Sequence, residues 1–165
     1  GLPRNTKLII RTTNKPVVVD RSILSYANIS TSNGEIEIAN SSGDFNLNTT
    51  NSEITVRSVT GEINASTSNA HVWFEGIVDK GSNSISTTNG DVSIRLEEGS
   101  NVLVSGDTRN GDVTIDGDNS SIIKDGDTAT FTYGTGNETA TLVITNGPGA
   151  IHINPTYISV FDGDK

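Results

Sequence analysis

A Thr-x-Asn tripeptide recurs through the chain at near-constant spacing, and a tandem period of this length restricts the fold to stacked repeats. Its asparagines are Asn14, Asn33, Asn51, Asn69, Asn89, Asn110 and Asn146, separated by 19, 18, 18, 20, 21 and 36 residues. Thr12, Thr31, Thr49, Thr67, Thr87 and Thr108 stand two residues ahead of the first six, and Ile144 ahead of the seventh. Apolar residues follow three and five residues after the Asn, as in Ile36 and Ile38, Ile54 and Val56, or Val92 and Ile94. In the last copy they are displaced by two, to Ile151 and Ile153. The last gap is twice 18, which predicts a degenerate copy hidden within it.

Apolar residues alternating with polar ones mark short strands with one face turned inward. The Asn, often followed by Gly (Gly34, Gly90, Gly111), marks a corner, and a second Gly near mid-repeat (Gly43, Gly61, Gly81, Gly99) marks another. Two all-β architectures fit. One is a single-domain β-solenoid of about 18 to 21 residues per coil with seven or eight coils. The other is an antiparallel meander of hairpins. The solenoid is favoured, because Asn persists where Lys15, Ser52 or Ala70 follows it, and a two-residue hairpin tolerates such residues poorly there. In a solenoid the Asn and Thr side chains stack as ladders.

The expected organisation is one repeat domain over residues 1–165. Regular coils cover about 7–115 and 139–153, an irregular insert covers 116–138, and a cap or tail covers 154–165. Tyr157, Val160 and Phe161 are candidates to cover the open last coil, and Leu2 to Ile10 the other end. An end left open invites end-to-end self-association.

The formal net charge of −9 disfavours nucleic acid and anionic membrane surfaces as partners. There is no cysteine and no apolar run long enough to span a bilayer. His71 and His152 sit at solvent-facing parity without metal-ligand spacing, so no catalytic residue is assigned and the chain is read as a non-enzyme. Trp73 and His71, both outward by parity, are the weak candidate ligand-binding residues, Trp73 being suited to stacking on a sugar or anchoring a partner. Asp-Gly-Asp runs make Asp116, Asp118, Asp125 and Asp127 weak calcium candidates; the full calcium loop is absent and no cofactor is expected. Glu35, Glu53, Asp91 and Asp112 share one repeat position and predict an acidic stripe.

The runs ISTSNGEIEI (29–38), LNTTNSEITV (47–56), VTGEINASTSNAHVWF (59–74) and ISTTNGDVSIRL (85–96) resemble the adhesin-type repeat domains of bacterial and archaeal envelope proteins. The resemblance spans about Lys7 to Ile153 and implies a β-solenoid at the cell surface or beyond. It carries no catalytic residues. The resulting expectation is an extracellular, adhesin-like module that contacts a cell-surface glycan, an envelope protein or further copies of itself. The rivals are a carbohydrate-active β-helix enzyme, a subunit of an extracellular filament, and an ice-binding solenoid if the repeated Thr face outward.

Overall fold

The fold follows from the alternation. A computed structural model describes residues 6–109, 113–115, 123–125, 127–134 and 140–153. Its strands are β1 (Thr6–Arg11), β2 (Val17–Asp20), β3 (Leu24–Ser30), β4 (Ile36–Ala39), β5 (Phe45–Asn48), β6 (Ile54–Thr60), β7 (Ile63–Thr67) and β8 (Val72–Ile77). They continue as β9 (Gly81–Thr87), β10 (Val92–Leu96), β11 (Val102–Thr108), β12 (Val113–Ile115), β13 (Ile123–Asp125), β14 (Thr128–Tyr133), β15 (Ala140–Asn146) and β16 (Ile151–Ile153). Each Asn corner separates two strands, which go to opposite sheets. The nine-stranded sheet runs β1-β3-β5-β7-β9-β15-β11-β14-β13, and the seven-stranded sheet β12-β16-β10-β8-β6-β4-β2.

All pairings between coil strands are parallel, as in β3 with β5 and β4 with β6. This is the β-solenoid, and it excludes the meander of hairpins. Register holds from coil to coil, so like stacks on like. One inward row of the nine-stranded sheet contains Ile29, Leu47, Ala65, Ile85 and Ile144; a facing row of the other contains Ile38, Val56, Phe74, Ile94 and Ile153. All ten are at most 2% exposed and belong to one continuous core. With few apolar residues, the chain buries nearly every one its pattern turns inward, and each contributes on the order of 1.5–3 kcal/mol of transfer free energy.

Three features depart from the sequence expectation. First, the coils are not stacked in chain order. β15 lies between β9 and β11, and β16 between β10 and β12. Second, no coil is seen in the long gap among the described residues. β13 and β14 form a hairpin, and β14 pairs antiparallel with β11. The hairpin therefore covers the far edge of β11 in the nine-stranded sheet. Asp125 pairs with Thr128 across the hairpin, and Asp127 lies in a turn. Third, the coil that ends at Ile153 is internal, with β16 between β10 and β12, and is not an open last coil; the expected cap or tail, 154–165 with Tyr157, Val160 and Phe161, lies outside the described residues.

At the Asn corner the side chains form a ladder along the solenoid. The Nδ2 of Asn33 donates to Oδ1 of Asn14 at 2.7 Å, Asn51 to Asn33 at 2.7 Å, Asn69 to Asn51 at 2.7 Å and Asn89 to Asn69 at 2.8 Å. The Thr two residues earlier turns inward and bonds the corner backbone of the coil below. Thr49 Oγ1 donates to the Gly34 carbonyl, Thr67 to Ser52 and Thr87 to Ala70. Thr31, Thr49, Thr67, Thr87 and Thr108 are all buried, and Thr12 in the first coil is half-buried. An outward Thr array of the kind an ice-binding surface requires is therefore not what this repeat builds.

The ladder stops at the inserted coil. Asn146 pairs in register with Thr87 and Thr108, so it occupies the Thr row and not the Asn row. Its Nδ2 bonds the Ala150 carbonyl at 3.1 Å, while its buried Oδ1 has no hydrogen-bond partner among the described residues. The displacement of Ile151 and Ile153 by two residues is the same fact seen from the strand that follows. Asn110 lies outside the described residues. Asn51→Ala, which breaks a rung from both sides, is expected to lower stability by about 1–2 kcal/mol. Asn14→Ala, which removes one terminal bond, is expected to cost about half as much in the same urea titration; equal losses would show that the ladder does not act through its bonds.

Candidate functional site

Strand alternation that buries one row presents the next. On the outer face of the nine-stranded sheet, Tyr26, Asp44, Glu62 and Ser82 occupy the position seven residues before successive corner asparagines. The adjacent outer row is Asn28, Asn46, Asn64 and Ser84, with the Ser84 hydroxyl donating to Asn64 Oδ1 at 2.9 Å. The third row is Ser30, Asn48, Ser66 and Ser86, with Ser86 bonded to Ser66 at 3.1 Å. Side chains in a row are one strand spacing apart, about 4.8 Å.

Where the first two rows meet there is an open depression of about 370 Å³, lined by Tyr26, Asp44, Phe45, Asn46, Glu62 and Asn64. Lys80, just ahead of β9, reaches back across β7 to place Nζ 2.8 Å from Asp44 Oδ1. This hydrogen bond, with the negative charges of Asp44, Asp79 and Glu62, raises the Lys80 pKa against the opposing effect of desolvation. Gly81, at φ +70°, lets the Glu62 carboxylate lie against its backbone, where any side chain would collide with it. The depression thus combines one phenol ring, two amides able both to donate and to accept, two carboxylates and an ammonium at its rim.

Trp73 and His71 lie on the seven-stranded side. Trp73 is 38% exposed, its row neighbours are Thr55 and Ser93, and an Arg95–Glu75 ion pair of 3.6 Å follows it. His71 places Nε2 3.6 Å from Asp91 Oδ2, whose other oxygen accepts the Ala150 N–H at 2.8 Å. His71 stands in the same repeat position as Glu35, Glu53 and Asp91, so the acidic stripe is interrupted by an imidazole bonded to one of its members. Neither residue shares a face with the Tyr26 depression. Of the calcium candidates, Asp116 and Asp118 lie outside the described residues. Asp125 ends β13, and Asp127 sits in its turn with its carbonyl bonded to Thr108 N–H. No group of three potential metal ligands is present among the described residues.

The sequence reading missed the depression. The signal was available: an aromatic residue and two carboxylates recur at one repeat position in three consecutive copies. Among the described residues, no helix is long and apolar enough to cross a membrane. No curated protein and no solved structure matches the chain. A family model described as Toastrack DUF4097 matches residues 6–153, from the first strand of the solenoid to the last strand of the inserted coil. That match covers the whole stacked-repeat scaffold, and the chain belongs to this family.

Proposed function

We propose that this domain is a cell-surface binding module that holds an extended, uncharged glycan against the outer face of its nine-stranded sheet. The carrying observation is the Tyr26 depression opening onto parallel rows of amides and hydroxyls. A ring to stack on and dual-character hydrogen-bonding groups at a fixed repeat suit a polymer of similar repeat. The net charge of −9 favours neutral over acidic polymers. The surface location and the adhesin-like role rest on the resemblance of the repeat runs to envelope-protein domains.

A second reading has one observation behind it: Asp44 and Glu62 stand on neighbouring strands in the same depression, as a pair of glycosidase carboxylates would. The depression is open, however, and Asp44 is tied to Lys80. A general acid held protonated at neutral pH needs a desolvated pocket instead. Binding without hydrolysis is the better fit.

Affinity electrophoresis through gels containing neutral polysaccharides tests both readings. Retardation by at least one polymer is expected. Tyr26→Ala should weaken it about tenfold, the loss of roughly 1.4 kcal/mol of stacking, while Trp73→Ala should leave it unchanged. Migration unaffected by every polymer would defeat the binding reading, and release of reducing ends would establish the hydrolytic one.

A further inference from the structure

We infer that the coil formed by β15 and β16 is exchangeable between copies of this chain, so that residues 140–153 of one molecule can fill the slot of another and give a reciprocal dimer.

The slot comes from chain order. β11 and β12 precede β15 and β16 in sequence, yet stand two coils farther along the solenoid than β9 and β10, with β15 and β16 between them. Until residues 140–153 arrive, β9 and β11 face one another across a gap with open edges, as do β10 and β12. Such edges accept any strand of matching register. The segment that fits is set by side chains on the page. Leu142 and Ile144 complete the inward rows. Gly147 and Gly149 lie directly on the Thr88 and Gly90 carbonyls, where a side chain would collide. The buried Asn83 amide donates to the Thr141 carbonyl at 3.0 Å. A second copy carries the same segment, so it meets all of these requirements.

The residue that follows β14 favours exchange. Tyr133 and Ala140 both pair with Val102, one on each edge of β11, so β14 ends two strand spacings from where β15 begins. Gly134, next after β14, is held at φ +114°, where a side chain would sit 2.7 Å from both Ser100 O and Asn101 Oδ1. A side chain there adds strain that exchange of the coil relieves, and strain at such a position invites domain swapping. The hold on the coil is also incomplete at Asn146, whose buried Oδ1 lacks a partner among the described residues where other coils have a bonded Thr.

The test uses full-length chains, which contain no native thiol. Ser84 and Val143 are register neighbours, both exposed, at a separation a disulfide spans. One variant carries Ser84→Cys, a second Val143→Cys, and a third both. The double variant should form an internal disulfide, which places the coil in the slot. The two single variants, unfolded together and co-refolded at about 1 mM, the effective concentration of a short tether, should give a crosslinked heterodimer. They should not do so when folded apart and then mixed. Gly134→Ala in both chains should raise the dimer fraction. Co-expression of the two variants in one cell gives the same readout without a refolding step. Heterodimer no greater than that of Ser84→Cys with Val18→Cys, a pair on opposite sheets, overturns the inference. So does a double variant that forms no internal disulfide.

Discussion

Asn83→Leu is expected to lower the stability of the domain by about 3 kcal/mol, although leucine has nearly the same size and suits an apolar core. Asn83 is 2% exposed and stands in an inward row beside Leu142. Its Oδ1 accepts the Ile63 N–H at 2.7 Å, and its Nδ2 donates to the carbonyls of Lys80 and Thr141, each at 3.0 Å. One amide therefore bonds the coil below, its own turn and the inserted coil above. Leucine leaves one buried N–H and two carbonyls without this partner, at about 1–3 kcal/mol for each group that stays unpaired, offset by about 1–2 kcal/mol of added apolar burial. The measurement is the urea midpoint at unchanged slope. A loss below about 1 kcal/mol would mean that the neighbouring backbone finds other partners and that Asn83 does not clasp the coil.

The position of Asn83 marks where sequence reasoning stops. Strands, corners and the inward rows were legible because each depends on local alternation and on Asn or Gly at a corner. Parallel stacking was legible because Lys15, Ser52 and Ala70 follow corner asparagines, which hairpins would not allow. The order of the coils was not. In a solenoid every coil offers the next the same edge and the same rows, so Ile144 fits above Ile85 as well as it would fit above any other coil. What selects the slot is a set of single contacts remote in sequence: Asn83 with Thr141, Gly147 on Thr88, Gly149 on Gly90. Asn146 was misplaced for a related reason. Asn146-Gly147 imitates the corner motif, and the two-residue displacement of Ile151 and Ile153, with Ile144 in place of the Thr, betrays that Pro148 stands where the other coils have Asn. The Tyr26 depression escaped because its residues are ordinary in any one repeat and become a site only when three repeats are laid side by side.

Gly61→Ala is expected to cost about 3–4 kcal/mol, more than its single methyl suggests, because two independent penalties coincide there. The first is conformational. Gly61 has φ +139°, and Gly43, one coil below, has φ +141°. An L-residue is held in that region only at a cost of about 1–3 kcal/mol. The second is steric. A methyl on Gly61 would run into the carbonyl oxygen of Gly43, which is backbone and has no rotamer to change. Relief requires the two coils to part, which strains the Gly43 N–H bond to the Thr60 carbonyl and the Gly61 N–H bond to Ile77. The neighbouring corner supplies a contrast of opposite sign. Arg21, Asn40 and Ser58 are left-handed, at φ 50°, 48° and 52°, and stand at equivalent places in successive coils. Ser58→Gly removes a left-handed strain of about 1 kcal/mol at an exposed site and should raise the thermal midpoint. Measured side by side, the two substitutions separate geometry from composition. If glycine were merely abundant in this chain, adding one and removing one would both be nearly neutral. If the stacked corners dictate it, Gly61→Ala loses several kcal/mol while Ser58→Gly gains a fraction of that.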